Sequence, residues 1–179
     1  ELTWETLPEQ LQRVLPGFDV GVILSEYRKL HPSRGPVDVY FTITSDRGFL
    51  RTSVVQADRK ADQSGAPVFF YLFDWNTPVG GGKWLCPHAL DIGFVFDNVA
   101  NSESMSGIGP VQQKLADMMS ESWLAFARSG NPNNPFVPNW PVYDSKRRAT
   151  MVFDLPPRAE DDPRARERAL FKRAPQKVS

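Results

Sequence analysis

The sequence predicts an α/β protein, and three observations predict it. Residues 67–75, "PVFFYLFDW", form a continuous apolar and aromatic run bounded by turn residues. Its length and composition read as a strand buried on both faces. Amphipathic helical patterns flank it on either side. A glycine-rich loop and a lone histidine follow it, ahead of a second apolar run. Helix, buried strand, loop and helix are the grammar of a layered α/β sheet. The chain offers few other strands, so either the sheet is small or its remaining strands lie outside these 179 residues.

The elements follow in order. In "PEQLQRVL", residues 8–15, Leu11, Val14 and Leu15 fall on one helical face and Gly17 is a stop signal. A second helix covers residues 20–30, with Ile23, Leu24, Tyr27 and Leu30 inward, and "HPSRGP" breaks it. Ser45 or Asp46 caps a longer helix whose apolar positions are Leu50, Val54, Ala57 and Ala61, closed by Gly65. After the strand, "NTPVGGGKW" is a loop and "HALDIGFVF" begins a short helix. Residues 110–130 are the clearest helix, with a stripe of Val111, Leu115, Met118, Met119, Trp123 and Phe126 and a terminal Gly130. "VYD" and "TMVFDL" flank the charged turn "SKRRA" and read as a hairpin. Residues 156–179 are a charged, Arg-rich tail, in which "RARERALFKR" reads as a solvated helix laced with salt bridges.

Composition narrows the function classes. Hydrophobic residues make up 41% and charged residues 23%, the globular range. Lys plus Arg and Asp plus Glu are 21 each, so no net charge marks a nucleic-acid or anionic-membrane partner, and no stretch approaches a membrane span. The first ten residues are acidic and polar, unlike a signal peptide. With one cysteine and no N-x-S/T sequon, the chain suits a reducing compartment, and a cytoplasmic location is expected.

Four chemistries fit poorly. His88, Cys86, Asp91 and Asp97 are close in sequence, but the C-x2-4-C or H-x3-5-H spacing of a zinc site is absent, so no metal is expected. Cys86 lies two residues from His88, yet nothing like a cysteine-protease signature surrounds it, and a buried inert thiol is the commoner state. "GGGK" ends like a Walker A motif, but Thr77 stands where its first glycine belongs and Trp84 where its Ser or Thr belongs. "GIG", residues 107–109, completes no dinucleotide fingerprint. What remains is His88, in a loop following the strand. It is either a satisfied structural residue or a general base, since imidazole titrates near neutrality and can shuttle a serine proton.

Six segments in order, "TITSDRGF", "PVFFYLFDW", "PHALDIGFVFDN", "WLAFARSGNPN", "NWPVYD" and "TMVFDL", resemble the C-terminal part of type-B carboxylesterases. These are the carboxylesterase and cholinesterase-like α/β-hydrolases, and the likeness is closest to bacterial para-nitrobenzyl esterase-like members. It runs from about Thr6 to Phe171. The most specific piece is H-x-x-[ED]-x-x-F-V-F with F-A-x-x-G-x-P-N and W-P-x-Y downstream. The resemblance implies that the chain is the C-terminal portion of one α/β-hydrolase domain, the last sheet strands plus packing helices, completed by an N-terminal segment or chain.

By the same resemblance His88 is the catalytic histidine, Asp91 supports its loop, and Asp46 is an acidic brace. Trp75, Trp84 and Leu85 are candidate pocket residues, with packing as the alternative for each. Triad order in this fold is Ser, then Asp or Glu, then His. No G-x-S-x-G elbow and no HGGG-type oxyanion motif occurs in the chain. The nucleophile, the triad acid and the oxyanion donors are therefore expected from the N-terminal portion of the same esterase. The implied reaction is serine-dependent hydrolysis of small-molecule carboxylic esters, with carbamates or amides also in range and no cofactor. The chain alone is expected to be inactive. The rival reading is a catalytically inactive, cholinesterase-like binding or adhesion module.

Overall fold

A computed structural model describes residues 2–171. In chain order the helices are α1 (Leu7–Val14), α2 (Val20–Leu30), α3 (Pro36–Ser45), α4 (Arg51–Asp62), α5 (Leu90–Val95), α6 (Glu103–Ser106), α7 (Pro110–Ser129) and α8 (Ala165–Leu170). The strands are β1 (Phe70–Phe73), β2 (Ala149–Phe153) and β3 (Arg158–Asp161). The described residues form two compact units, one of residues 2–56 with 164–171, the other of Ala57–Pro163.

The first unit is helical. The Asp19 side chain caps α2, accepting from the Val22 N–H at 3.0 Å. Leu7, Leu11 and Leu15 of the α1 region pack with Ile23 and Tyr27 of α2 and Val39 and Ile43 of α3. Val14, expected on that face, is exposed.

The expected cap at Ser45 or Asp46 is absent. Both residues have helical backbone angles, and α3 runs through a π-helical turn, Asp46–Leu50, into α4. The helix starts instead at Pro36, whose fixed φ suits the first turn. The Asp46 carboxylate is engaged elsewhere: it accepts from the Tyr27 hydroxyl at 2.7 Å and from Arg164 at 2.5 Å. This pairing also corrects the reading of the tail. α8 is laced with salt bridges as expected and Arg166 is exposed, but its inner side is not solvated: Glu167 is buried, next to Arg164 and His31, each at 3.2 Å. Phe171 is buried in the same core, edge-on to Phe18. The rest of the predicted tail lies outside the described residues.

The second unit holds a three-stranded sheet in the order β1-β2-β3. β1 pairs parallel with β2, and β2 pairs antiparallel with β3. The hairpin is therefore β2–β3, not "VYD" with "TMVFDL". Residues 141–148 stay out of the ladder because the Asp144 side chain caps a turn by accepting from the Lys146 and Arg147 N–H groups. β1 is shorter than residues 67–75 and half-buried, and β2 is its one ladder partner among the described residues, whereas every residue of β2 is buried.

Over the sheet, α7 buries Leu115, Ala116 and Met119 against Phe153, Trp140 and Met151. It ends at Gly130, whose φ of 73° lets its N–H reach the Phe126 carbonyl at 2.7 Å. Its inward face is narrower than its apolar stripe. Val111 and Phe126 are exposed, while Gln112 and Ser122 are buried. Gln112 donates to the Ser106 carbonyl, and Ser122 donates to the Met118 carbonyl.

Candidate active site

His88 is exposed on a turn between the glycine loop and α5. The chain leaves β1 at Phe73, and Asp74 extends the parallel ladder by donating its N–H to the Phe153 carbonyl at 2.9 Å. Trp75 then turns inward. It is 8% exposed, with its ring centroid 5.2 Å from that of Phe94, so it is a packing residue in this unit.

The loop that follows is closed at its base. The Thr77 N–H donates to the Leu85 carbonyl at 2.9 Å, and the buried Thr77 hydroxyl donates to the Met105 carbonyl at 2.5 Å. Between them Gly80, Gly81 and Gly82 have φ of 64°, 71° and 81°, a left-handed run that side chains disfavour. Trp84 is 51% exposed and carries the Lys83 ammonium 4.7 Å from its ring centre. Leu85 is half-buried.

Two non-glycine residues near His88 are also left-handed, Leu85 at φ 54° and Ala89 at φ 67°. Such conformations cost energy and persist only where surroundings enforce them. Here the enforcing contacts are visible on both sides of His88. Upstream, the Cys86 thiol donates to the Phe73 carbonyl at 3.4 Å. Downstream, the Asp91 carboxylate accepts from the Tyr71 hydroxyl at 2.8 Å. Leu90 and Phe94 bury the inner face of α5 against the sheet core. The histidine turn is thus tied at two points to β1, at Tyr71 and at Phe73, the carboxyl end of the strand. That end is where open α/β sheets place their ligands.

The electrostatics separate the roles of these groups. Burial, reinforced by Asp74 and Asp91, pushes the Cys86 thiol up to about 12, so it stays protonated and is no nucleophile near neutral pH. Burial and the Asp91 carboxylate both push the Tyr71 phenol upward, keeping it a donor. Asp46 belongs to the helical unit. Its partners are Tyr27 and Arg164, and burial pushes its carboxyl upward against the pull of Arg164. Among the described residues no group of three or more His, Cys, Asp and Glu side chains is placed to hold a metal ion, and no helix is long and apolar enough to cross a membrane. Tyr71 and Thr77 are the structural members of the site that sequence reasoning missed. Tyr71 has one visible signal, a polar tip inside an otherwise apolar strand run.

Residues 33–171 match the carboxylesterase family. The chain belongs to that family. Among curated carboxylesterases it is 34% identical, over 126 residues, to the para-nitrobenzyl esterase of Bacillus subtilis strain 168, covering 69% of this chain and 25% of that enzyme. It is 30% identical over 110 residues to the liver carboxylesterase of Sus scrofa, covering 61% of this chain and 19% of that protein. Among solved structures, the Geobacillus stearothermophilus carboxylesterase EST55 superposes with a TM-score of 0.79 at 31% identity, over 96% of this chain and 35% of that one. The chain spans about a quarter of the curated carboxylesterase first matched and about a third of the solved ones. Its sheet and helices are therefore part of a carboxylesterase α/β-hydrolase fold, as the sequence segments imply.

Proposed function

We propose that this chain serves a serine carboxylesterase and supplies its general base, His88. The observation that carries the reading is the exposed imidazole on a strained turn pinned at both ends to β1. Membership of the carboxylesterase family supports ester hydrolysis as the reaction.

In acylation the His88 imidazole takes the proton of a serine hydroxyl as that oxygen attacks the ester carbonyl. It returns the proton to the leaving alcohol, so an acyl-enzyme forms and alcohol departs. In deacylation it takes a proton from water, which attacks the acyl-enzyme, and returns it to the serine oxygen. The products are the carboxylic acid and free enzyme. The serine, the acid that fixes the imidazole tautomer and the oxyanion donors come from a part of the esterase beyond these 179 residues, which contain no G-x-S-x-G. Asp91 holds the turn and takes no proton. No cofactor enters the reaction. The substrates are small carboxylic esters, and Trp84, half-exposed beside the turn, is a candidate wall for the acyl or alcohol group.

The test is para-nitrophenyl acetate hydrolysis by the whole esterase and its His88→Ala variant. Turnover falls by a factor on the order of 10⁴ or more if His88 is the base. Near-normal turnover in the variant removes His88 from the mechanism. A whole protein that folds but has no turnover to begin with favours the inactive binding module. The 179-residue chain by itself is expected to hydrolyse the ester no faster than free imidazole at equal concentration.

A further inference from the structure

We infer that Tyr71 is a positioning residue for His88, acting through the hydroxyl it donates to Asp91. This inference rests on the reading of His88 as the general base. Tyr71 lies on β1 opposite Met151 of β2, and its ring is fixed by two edge contacts. The Trp123 ring of α7 stands at 4.9 Å and 83°, and the Phe153 ring of β2 at 6.1 Å and 71°. A phenol has no further rotor between ring and oxygen, so clamping the ring fixes the hydroxyl in space. That hydroxyl meets the Asp91 carboxylate at 2.8 Å. Asp91 belongs to the first turn of α5, and only Ala89, in its left-handed conformation, and Leu90 stand between it and His88.

The contact is a charge-assisted hydrogen bond in a half-buried place, so it is directional as well as attractive. The backbone bonds from Thr77 to Leu85 and from Leu90 to Pro87 shape the turn locally, and its other side-chain ties to the sheet are less specific. Leu90 and Phe94 hold α5 to the core through non-directional apolar contact, and Cys86 donates through a weak thiol. Tyr71–Asp91 therefore sets where along and around the sheet edge the turn sits, while Leu90 and Phe94 set that α5 is docked at all. Removing the phenol oxygen leaves the fold in place and loosens the histidine. A general base displaced by about 1 Å loses on the order of 10²-fold in rate.

The experiment uses the whole esterase and para-nitrophenyl acetate. Tyr71→Phe lowers kcat by roughly 10- to 100-fold with KM within about twofold and thermal unfolding still cooperative. Asp91→Leu gives a similar loss. Asp91→Asn, which keeps an oxygen to accept from the phenol, recovers most of it. The double variant Tyr71→Phe with Asp91→Leu is no worse than either single variant, because both remove one contact. Wild-type kcat in a folded Tyr71→Phe overturns the inference, as do equal losses in Asp91→Asn and Asp91→Leu. Additive losses in the double variant overturn it too. Should Tyr71→Phe not fold, the two Asp91 variants test the contact from its other end. His88→Ala run alongside separates the two claims. If it keeps its turnover, the base reading fails. If it is inactive while Tyr71→Phe and Asp91→Leu are normal, only the positioning claim fails.

Discussion

The two compact units of this chain differ in what they bury beside their aliphatic side chains. The helical unit adds charge to its apolar core: Asp46, Arg164, Glu167 and His31 form one connected set with Tyr27. The sheet unit closes around aromatic rings, with Phe153 touching Tyr71, Trp123 and Trp140. Charged networks lose much when one member is removed, because the remaining charges stay buried. Aromatic and aliphatic cores lose by volume and do not respond to pH. The sheet unit can therefore present His88 on a floor whose aromatic packing is indifferent to pH.

Breaking the charged set gives the largest expected effect on stability. Arg164→Ala leaves the Asp46 and Glu167 carboxylates buried without their guanidinium and costs about 3–5 kcal/mol. Urea unfolding will show a larger loss at pH 7 than at pH 5, because Asp46 escapes part of the cost by taking up a proton. The matched change in the aromatic unit is Leu115→Ala, at roughly 2–5 kcal/mol, and its cost should be the same at both pH values. If both variants lose equally at both pH values, the contrast between the units is lost.

The smallest effect sharpens the contrast. Burial, with Arg164 and Arg34 beside it, pulls His31 below the usual imidazole range despite the nearby Glu167. The folded state therefore resists protonating His31, while the unfolded chain takes the proton first. Stability contributed by neutral His31 is present above the ordinary imidazole value and is lost as pH falls through it. Asp46 acts with the opposite sign. Its carboxyl is raised by burial, so the folded state takes that proton first and stability recovers as pH falls toward the carboxylate range. His31→Gln should flatten the first limb of the stability–pH curve and leave the second. An unchanged curve would remove His31 from the pH response.

Much of this was legible in the sequence, and the rest was hidden for physical reasons. α2 and α7 fall where their periodicity and end signals put them, since Asp19 and Gly130 act locally. α3 was illegible because "VDVYFTITS" is rich in β-branched residues, whose helical state here is imposed by packing of Val39 and Ile43. The inner side of α8 was illegible because alternating charge on a helix normally faces water. In α8, Glu167 turns inward to meet Arg164 and His31, and His31 is far away in sequence. The strand run was visible, but its pairing with β2, about 80 residues on, is carried by no local pattern. His88 and Asp91 stand out in the sequence through a family pattern, not through their own chemistry. Tyr71 was not, because a tyrosine in an aromatic strand looks like core until its hydroxyl is seen to meet Asp91.

The parallel pairing of β1 with β2 has a kinetic consequence. Phe70 meets Thr150 and Phe73 meets Phe153, so the entire stretch carrying α5, α6 and α7 is looped out between two strands that must find each other. Closing so long a loop forfeits chain entropy before any ladder hydrogen bond repays it. The helices on either side can nucleate early from local contacts. The pairing beneath His88 is therefore the costly long-range step of this unit, while its helices need only local contacts.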